Sequence, residues 1–344
     1  MRFENSRPQV LKTSGPPALS GVLVVDKPEG PTSHDVVTLT RRVLGVSRIG
    51  HTGTLDPLAT GVLPLVIGRA TRLAQFLTAS DKSYEATIAF GRTTDTYDAR
   101  GREMTSCIQR PTRHQLDAVV AKFRGKFEQT PPAYSAKNID GERSYELARK
   151  AVRGAGPSGP AITRPKPVTV HTRHLEILAF DGDTARLTMT VTAGFYVRSL
   201  AHDLGEALGC GAVLVALRRT RSGEFGLEPA VPLAEVLASR REDLATRVLP
   251  MSALLRELPA VTLRDAATLE RLKNGVEIGP SDLVTPFSAP PTAAATPEAA
   301  TPETAAPEAP QKVIVRLLSP EGDLAGLARP GKTRGFLHGW VVLG

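Results

Sequence analysis

Cysteine is scarce in this chain: there are two, Cys107 and Cys210, far apart and outside any metal-ligand spacing. A disulfide scaffold and a cysteine zinc site are thereby excluded, and both thiols are expected to be inert in a reducing compartment. No stretch approaches 18 apolar residues, so no membrane-spanning helix is expected. The opening segment MRFENSRPQVLKTSGPPALSG is polar and lacks the apolar core of a signal peptide, which points to a cytoplasmic location. The glycine-containing loop near residue 55 lacks a following G-K-[ST], which rejects a nucleotide P-loop. His171 and His174, three apart on an expected strand, face opposite sides and make no zinc pair. Neither a metal nor a cofactor is expected.

What is present is a chain of 344 residues, 41% hydrophobic, enough for one large domain and a smaller one. Lys and Arg number 43 against 35 Asp and Glu, a net charge of +8 that favours a polyanionic partner, nucleic acid first.

Order is expected from Gly21, after a loose tail over residues 1–20. GVLVVDKP reads as a buried strand ending at Pro28. The next segment reads as a helix, capped by the hydroxyl of Thr32 or Ser33 and closed at Gly45. VLPLVIG is a short apolar strand, and Tyr84, Ala86, Ile88 and Phe90 alternate as strand residues do. Residues 112–124 and 144–153 read as helices. Residues 168–180 and the alternation of Ala185, Leu187, Met189 and Val191 make a hairpin about Asp181-Gly182-Asp183. Helical spacing returns over 197–208. The fold class is α+β on a mixed β-sheet. Beyond residue 256 come one helix ending at Asn274-Gly275, a run of Ala, Pro, Thr and Glu over about 289–310 that cannot bury apolar surface, and a β-rich end.

The loop GHTGTLDPLATG, residues 50–61, is the most informative segment. Asp56 is the only carboxylate between Asp35 and Asp81, and Pro57 restricts its backbone. A carboxylate in a shaped loop serves as nucleophile or base; equally, an Asp of this kind caps a turn. Spacing alone leaves both readings open.

GTLDPLATGVLPLVIG strongly resembles the catalytic motif of the TruB family of pseudouridine synthases, the bacterial tRNA pseudouridine-55 synthases. LVVDKPEGPTSHDVV, DKSYEATIAFGRTTDTYDARG, QTPPAYSAKNIDGERSYELARK and AGFYVRSLAHDLG resemble four further motifs of that family, in order over residues 21–220. The resemblance implies the pseudouridine synthase fold over residues 21–255 and a small β-rich, PUA-like RNA-binding domain over 256–344 holding the low-complexity insert. It implies isomerisation of a uridine at position 55 in the T-arm of tRNA. That reaction breaks N1–C1′, turns the base and joins C5 to C1′, without redox change or group donor. No guide RNA, obligatory protein partner or membrane is implied.

By resemblance Asp56 is the catalytic carboxylate and Arg198 pairs with it, holding its direction. Tyr84 matches the tyrosine stacked on the everted base and placed for proton removal at C5. Tyr196 matches a second pocket tyrosine, Leu217 an apolar wall, and His51 the histidine that fills the place the base has left. Lys27 and Pro28 shape the loop beneath the site, and Tyr134 positions a loop. Arg218, Arg219 and Arg221 meet phosphate or are solvated. A non-catalytic RNA-binding protein or tRNA-folding chaperone is the alternative function that charge alone allows.

Overall fold

The computed structural model describes residues 19–133, 138–139, 142–143, 165–284 and 313–343. The helix expected at 144–153, Tyr134 and the run at 289–310 lie outside the described residues, as does most of the tail.

The strands are β1 (Gly21–Lys27), β2 (Ile49–His51), β3 (Ala59–Ile67), β4 (Lys82–Phe90), β5 (Arg92–Thr94), β6 (Glu103–Ser106), β7 (Gly125–Gln129), β8 (Asn138–Ile139), β9 (Glu142–Arg143), β10 (Val168–Phe180), β11 (Thr184–Val191), β12 (Ala212–Ser222), β13 (Val231–Pro232), β14 (Leu249–Pro250), β15 (Ala260–Thr262), β16 (Val315–Leu318), β17 (Leu324–Pro330) and β18 (Leu337–Val342). Ten of them form one sheet in the order β13-β1-β3-β12-β4-β11-β10-β7, with β2 and β14 attached to β3 and β1. The sheet is mixed: β12 runs parallel to β3 and antiparallel to β4, and the remaining long neighbours are antiparallel. This is the expected α+β class, with a separate four-stranded sheet β15-β16-β17-β18 at the C-terminal end.

Local chemistry explains the elements. Thr32 caps the helix Ser33–Leu44 in a reciprocal box with Asp35, and Gly45 closes it at φ 61°. A matching box of Thr112 and Gln115 opens Arg113–Ala121, shorter than the expected 112–124 because Lys122–Arg124 turn away toward β7. Tyr84, Ala86, Ile88 and Phe90 lie buried on one face of β4, and Ala185, Leu187, Met189 and Val191 on one face of β11, as period-two alternation requires. Two glycines are there for close approach. A Cβ at Gly61 would overlap the Arg219 carbonyl where β3 meets β12, and one at Gly205 would overlap Gly211 and Ala212 where the helix Val197–Leu208 lies on β12.

One face of the sheet is covered by the helices Ser33–Leu44, Arg113–Ala121, Val197–Leu208 and Leu233–Ala238, in a core that includes Val36, Leu116, Leu200 and Leu63. On the other face Val22, Val24, Val62 and Val66 pack with Leu73 and Leu77 and with Leu324, Leu327 and Leu343 of the small C-terminal sheet. That sheet is further tied down where Arg69 and Arg72 donate to the carbonyls of Leu343 and Val342, at 2.7 and 2.6 Å, and where Trp340 meets Phe76 edge to face at 5.0 Å. Among the described residues no helix is long and apolar enough to cross a membrane.

Candidate active site

Asp56 lies in the loop between β2 and β3, and that loop is pinned at almost every second residue. Thr52 N–H donates to Pro64 O, Gly30 N–H to Pro57 O, and Ala59 N–H to Asp56 O, at 3.2, 2.8 and 3.0 Å. Ser33 makes a two-way contact with Leu55: its hydroxyl accepts from Leu55 N–H at 2.8 Å and donates to Leu55 O at 3.0 Å. Of the two hydroxyls that sequence offered as a cap, Thr32 takes that part and Ser33 holds the loop.

Arg198 is the second residue of the helix Val197–Leu208. Its Nε donates to Asp56 Oδ2 at 2.8 Å and its Nη2 to Asp56 Oδ1 at 3.2 Å, while Nη1 donates to the Thr96 carbonyl at 3.0 Å. The guanidinium is 7% exposed and the carboxylate 37%. The pair is therefore dry on the arginine side and open on the aspartate side. A planar fork on both oxygens fixes the plane of the carboxylate.

The approach to Arg198 is built from parts of two motifs, the T-D-T-Y-D loop and Gln129 with Thr130, to which sequence alone assigns no task. The loop after β5 supplies the Thr96 carbonyl. Its shape is held by the buried Asp98, which accepts from Thr96 Oγ1 at 2.8 Å and Arg100 N–H at 3.0 Å, and by Tyr97 at φ 64°, stacked on His202 of the Arg198 helix at 3.9 Å. From the end of β7 the buried Gln129 accepts from Tyr196 N–H at 2.8 Å and donates to Tyr196 O at 3.0 Å, and Ser199 Oγ donates to Thr130 O at 2.8 Å.

Tyr84, buried on β4, stands opposite Met189 on one side and Arg219 on the other. Leu217, two residues from Arg219, pairs with Ala86 and Ala59. Tyr84 and Leu217 therefore share one face of neighbouring strands, and both join the cluster that holds Leu55 and Leu58, the residues flanking Asp56-Pro57. Leu58 and Leu217 line a cavity of about 220 Å³ with Thr60, Ala86, Glu85 and Arg186 on its walls. Tyr196 is half-buried at the N-cap of the Arg198 helix. His51 is half-buried on β2, its Nδ1 accepting from Gly53 N–H at 3.3 Å. Burial, with the charges of Arg219 and His34, pushes the His51 imidazole below its ordinary value.

Of the three arginines after Leu217, Arg218 and Arg219 are drawn into the fold and Arg221 is exposed. Arg218 grips Asp26 with two hydrogen bonds of 3.1 and 2.7 Å. Arg219 is buried and donates to Val62 O and Gly53 O, at 2.7 and 3.1 Å, tying the Asp56 loop to β3. Arg221 donates to Gly223 O. Lys27, also buried, donates to the carbonyls of Pro28 and Pro31 at 2.8 and 2.9 Å. Burial and then the charge of Arg100 bring its ammonium from 10.5 down to about 8, against the opposing pull of Asp56 and Glu29. Lys82 donates to Thr78 O and Ser80 O and is likewise brought to about 8, by burial and then by Arg219. Cys210 is buried and its thiol pushed up by that burial. Among the described residues no group of three metal-binding side chains comes together.

The family described as TruB family pseudouridylate synthase, N-terminal domain, matches residues 41–197, and the tRNA pseudouridylate synthase B C-terminal domain matches 198–256. The border between the two falls at the first turn of the Arg198 helix, and the second takes in β12 from the middle of the sheet. The chain is 46% identical over 277 residues to the tRNA pseudouridine synthase B of Solibacter usitatus, covering 80% of this chain and 90% of that protein. It is 41% identical over 312 residues to the protein of the same name from Cupriavidus metallidurans, covering 90% of each. In fold it resembles a chain of a solved Cbf5-Nop10-Gar1 complex, with a TM-score of 0.66 and 25% identity over 95% of this chain and 85% of that one.

Proposed function

The chain belongs to the TruB family of pseudouridine synthases, which convert uridine to pseudouridine in tRNA, and from that premise we propose that it acts on uridine 55 of the T-arm with Asp56 as the catalytic carboxylate. It works in the cytoplasm on tRNA alone, with neither a guide RNA nor an obligatory protein partner. The observation that carries this reading is the two-point grip of Arg198 on an Asp56 whose outer side stays open.

Isomerisation breaks the N1–C1′ bond, rotates the uracil and joins C5 to C1′; the proton lost from C5 is balanced by one gained at N1. The reaction needs a carboxylate beside the nucleoside, either to add to sugar or base or to take a sugar proton on the way to a glycal. Asp56 answers that need because Arg198 fixes its plane, and the loop bonds to Ser33, Gly30 and Arg219 fix its depth. Pre-set geometry of this kind lowers the barrier by removing reorganisation from the reaction step.

The uridine must leave its stack to reach the carboxylate. Tyr84 offers the everted base a face, with its hydroxyl directed at the C5 proton; Leu217 and Leu58 form the apolar wall, and Tyr196 closes the far side. His51 occupies the gap left in the RNA loop. Its lowered proton affinity keeps the ring neutral near pH 7 and suited to packing against bases. The small C-terminal sheet serves as the PUA-like RNA-binding module, and the net charge of +8 supplies phosphate attraction.

The test is to incubate an unmodified tRNA transcript, and separately a bare T-arm hairpin, with the protein and to map pseudouridine at single-nucleotide resolution. Product at position 55 in both is expected. Product at another site, or dependence on an added guide RNA, overturns the proposal.

A further inference from the structure

Gln129 is fully buried at the end of β7, where β7 pairs with β10, and its side chain exchanges two hydrogen bonds with the main chain of a single residue, Tyr196. This is the exchange that two opposed residues make in an antiparallel ladder, with a side-chain amide in place of one backbone. Tyr196 is the N-cap of the helix that carries Arg198 and gives it no side-chain cap bond; its backbone is extended, at φ −113° and ψ 109°. The direction in which that helix starts is therefore set by Gln129 on one side and by Ser199 on Thr130 O on the other. Two residues later Arg198 reaches Asp56.

We propose that Gln129 is a positioning residue for the isomerisation, holding Tyr196 and through it the Arg198 guanidinium in register with Asp56. The inference rests on the role proposed above for Asp56. The chemistry of the side chain explains why glutamine stands there. A primary amide presents one donor and one acceptor side by side, matching the Tyr196 carbonyl and N–H. An ionised carboxylate presents acceptors alone and would set a charge against the Tyr196 carbonyl. A protonated carboxylic acid again presents one of each. Asparagine is one methylene too short to span the same gap.

That difference provides a reversible test. In Gln129→Glu, burial raises the proton affinity of the new carboxyl, so that it passes from the acid to the ion within the usable pH range. The single-turnover rate on a T-arm hairpin is measured from about pH 5.5 to pH 8.5 for wild type, Gln129→Glu and Gln129→Leu, with hairpin affinity and melting temperature at each pH. Gln129→Glu is expected to approach the wild-type rate at the acid end and to fall about 10- to 100-fold below it at the alkaline end, the scale of a misplaced reacting group. Its affinity should fall far less than its rate, because the phosphate contacts are untouched. Gln129→Leu should be slow at every pH. If Gln129→Leu fails to fold, the pH course of Gln129→Glu decides alone. A Gln129→Glu rate that tracks wild type over the whole range, or affinity lost in step with rate, overturns the proposal. Asp56→Asn is assayed beside them: turnover in that variant would remove the reading of Asp56, whatever Gln129 does.

Discussion

The Arg198 guanidinium binds both carboxylate oxygens of Asp56, at 2.8 and 3.2 Å, across a separation of 142 residues in the chain. The arginine is almost wholly buried and the carboxylate is open on its outer side, so the pair behaves as a fixed mount with one working face. Replacing Asp56 by Asn keeps shape and removes the negative charge. Turnover of a T-arm hairpin should vanish while gel-shift affinity stays within about threefold of wild type, as for a group that acts on the reaction step and not on ground-state binding. Measurable turnover in this variant would remove Asp56 from the chemistry.

Arg198→Lys retains the charge but not the fork. A single ammonium cannot hold Asp56 Oδ1, Asp56 Oδ2 and the Thr96 carbonyl in the same plane. The single-turnover rate should drop by about 100-fold or more, with a smaller change in affinity. A near-normal rate would show that carboxylate direction is unimportant.

Ser33→Ala removes both of the bonds that hold Leu55 and leaves its buried N–H and C=O short of a partner. Thermal unfolding should show a loss of about 1–3 kcal/mol, and the turnover rate should fall because the residue after Leu55 is Asp56. A Ser33→Ala protein with unchanged stability would mean that Pro57 and Gly30 suffice to shape the loop.

Tyr84 separates into a face and a hydroxyl. Tyr84→Phe keeps the stacking surface, and hairpin affinity should be preserved, while loss of the hydroxyl should slow the step at C5 by about 100-fold or more. Tyr84→Leu should lose about 1–3 kcal/mol of binding as well. Normal turnover in Tyr84→Phe, followed with C5-deuterated uridine, would leave Tyr84 as a stacking platform alone.

Lys27 and Lys82 give the stability a distinctive alkaline course. Both are brought from 10.5 to about 8 by burial. Between those values the unfolded chain binds more protons than the folded one, so this contribution to stability rises with pH across the window. Below pH 8 both must be buried charged, which costs stability. The difference in melting temperature between wild type and Lys82→Met, measured from pH 7.5 to 10, should shift in favour of wild type as pH rises. A pH-independent difference would show that Lys82 is not held in this state.

Much of the fold was legible from local pattern. Alternation from Tyr84 to Phe90 and from Ala185 to Val191 marked β4 and β11, and Thr32 and Gly45 bounded a helix. The three-residue strands β2 and β15 carried no periodicity, because they exist through pairing with β3 and β16. At the site, the shape of the Asp56 loop was readable, yet its bond to Ser33 was not: a hydroxyl next to a helix start looks like a cap until its partner 22 positions away is in place. The fates of Arg218 and Arg219 were hidden for the same reason. One grips a carboxylate on β1 and one is swallowed between β3 and the loop, partners that the run of three basic residues does not reveal.

The place of β12 governs how the molecule can be made. It is the last long strand of the large sheet to leave the ribosome, and it stands between β3 and β4, both synthesised well before it. A growing chain that ends short of Ser222 therefore has β3 and β4 with open edges where β12 belongs, the kind of edge that pairs with foreign strands. The helix bearing Arg198 emerges just ahead of β12 and lies on it through Gly205. The seating of the helix that carries the partner of Asp56 thus depends on the strand that closes the sheet, and a chain that ends before β12 lacks the surface on which that helix lies.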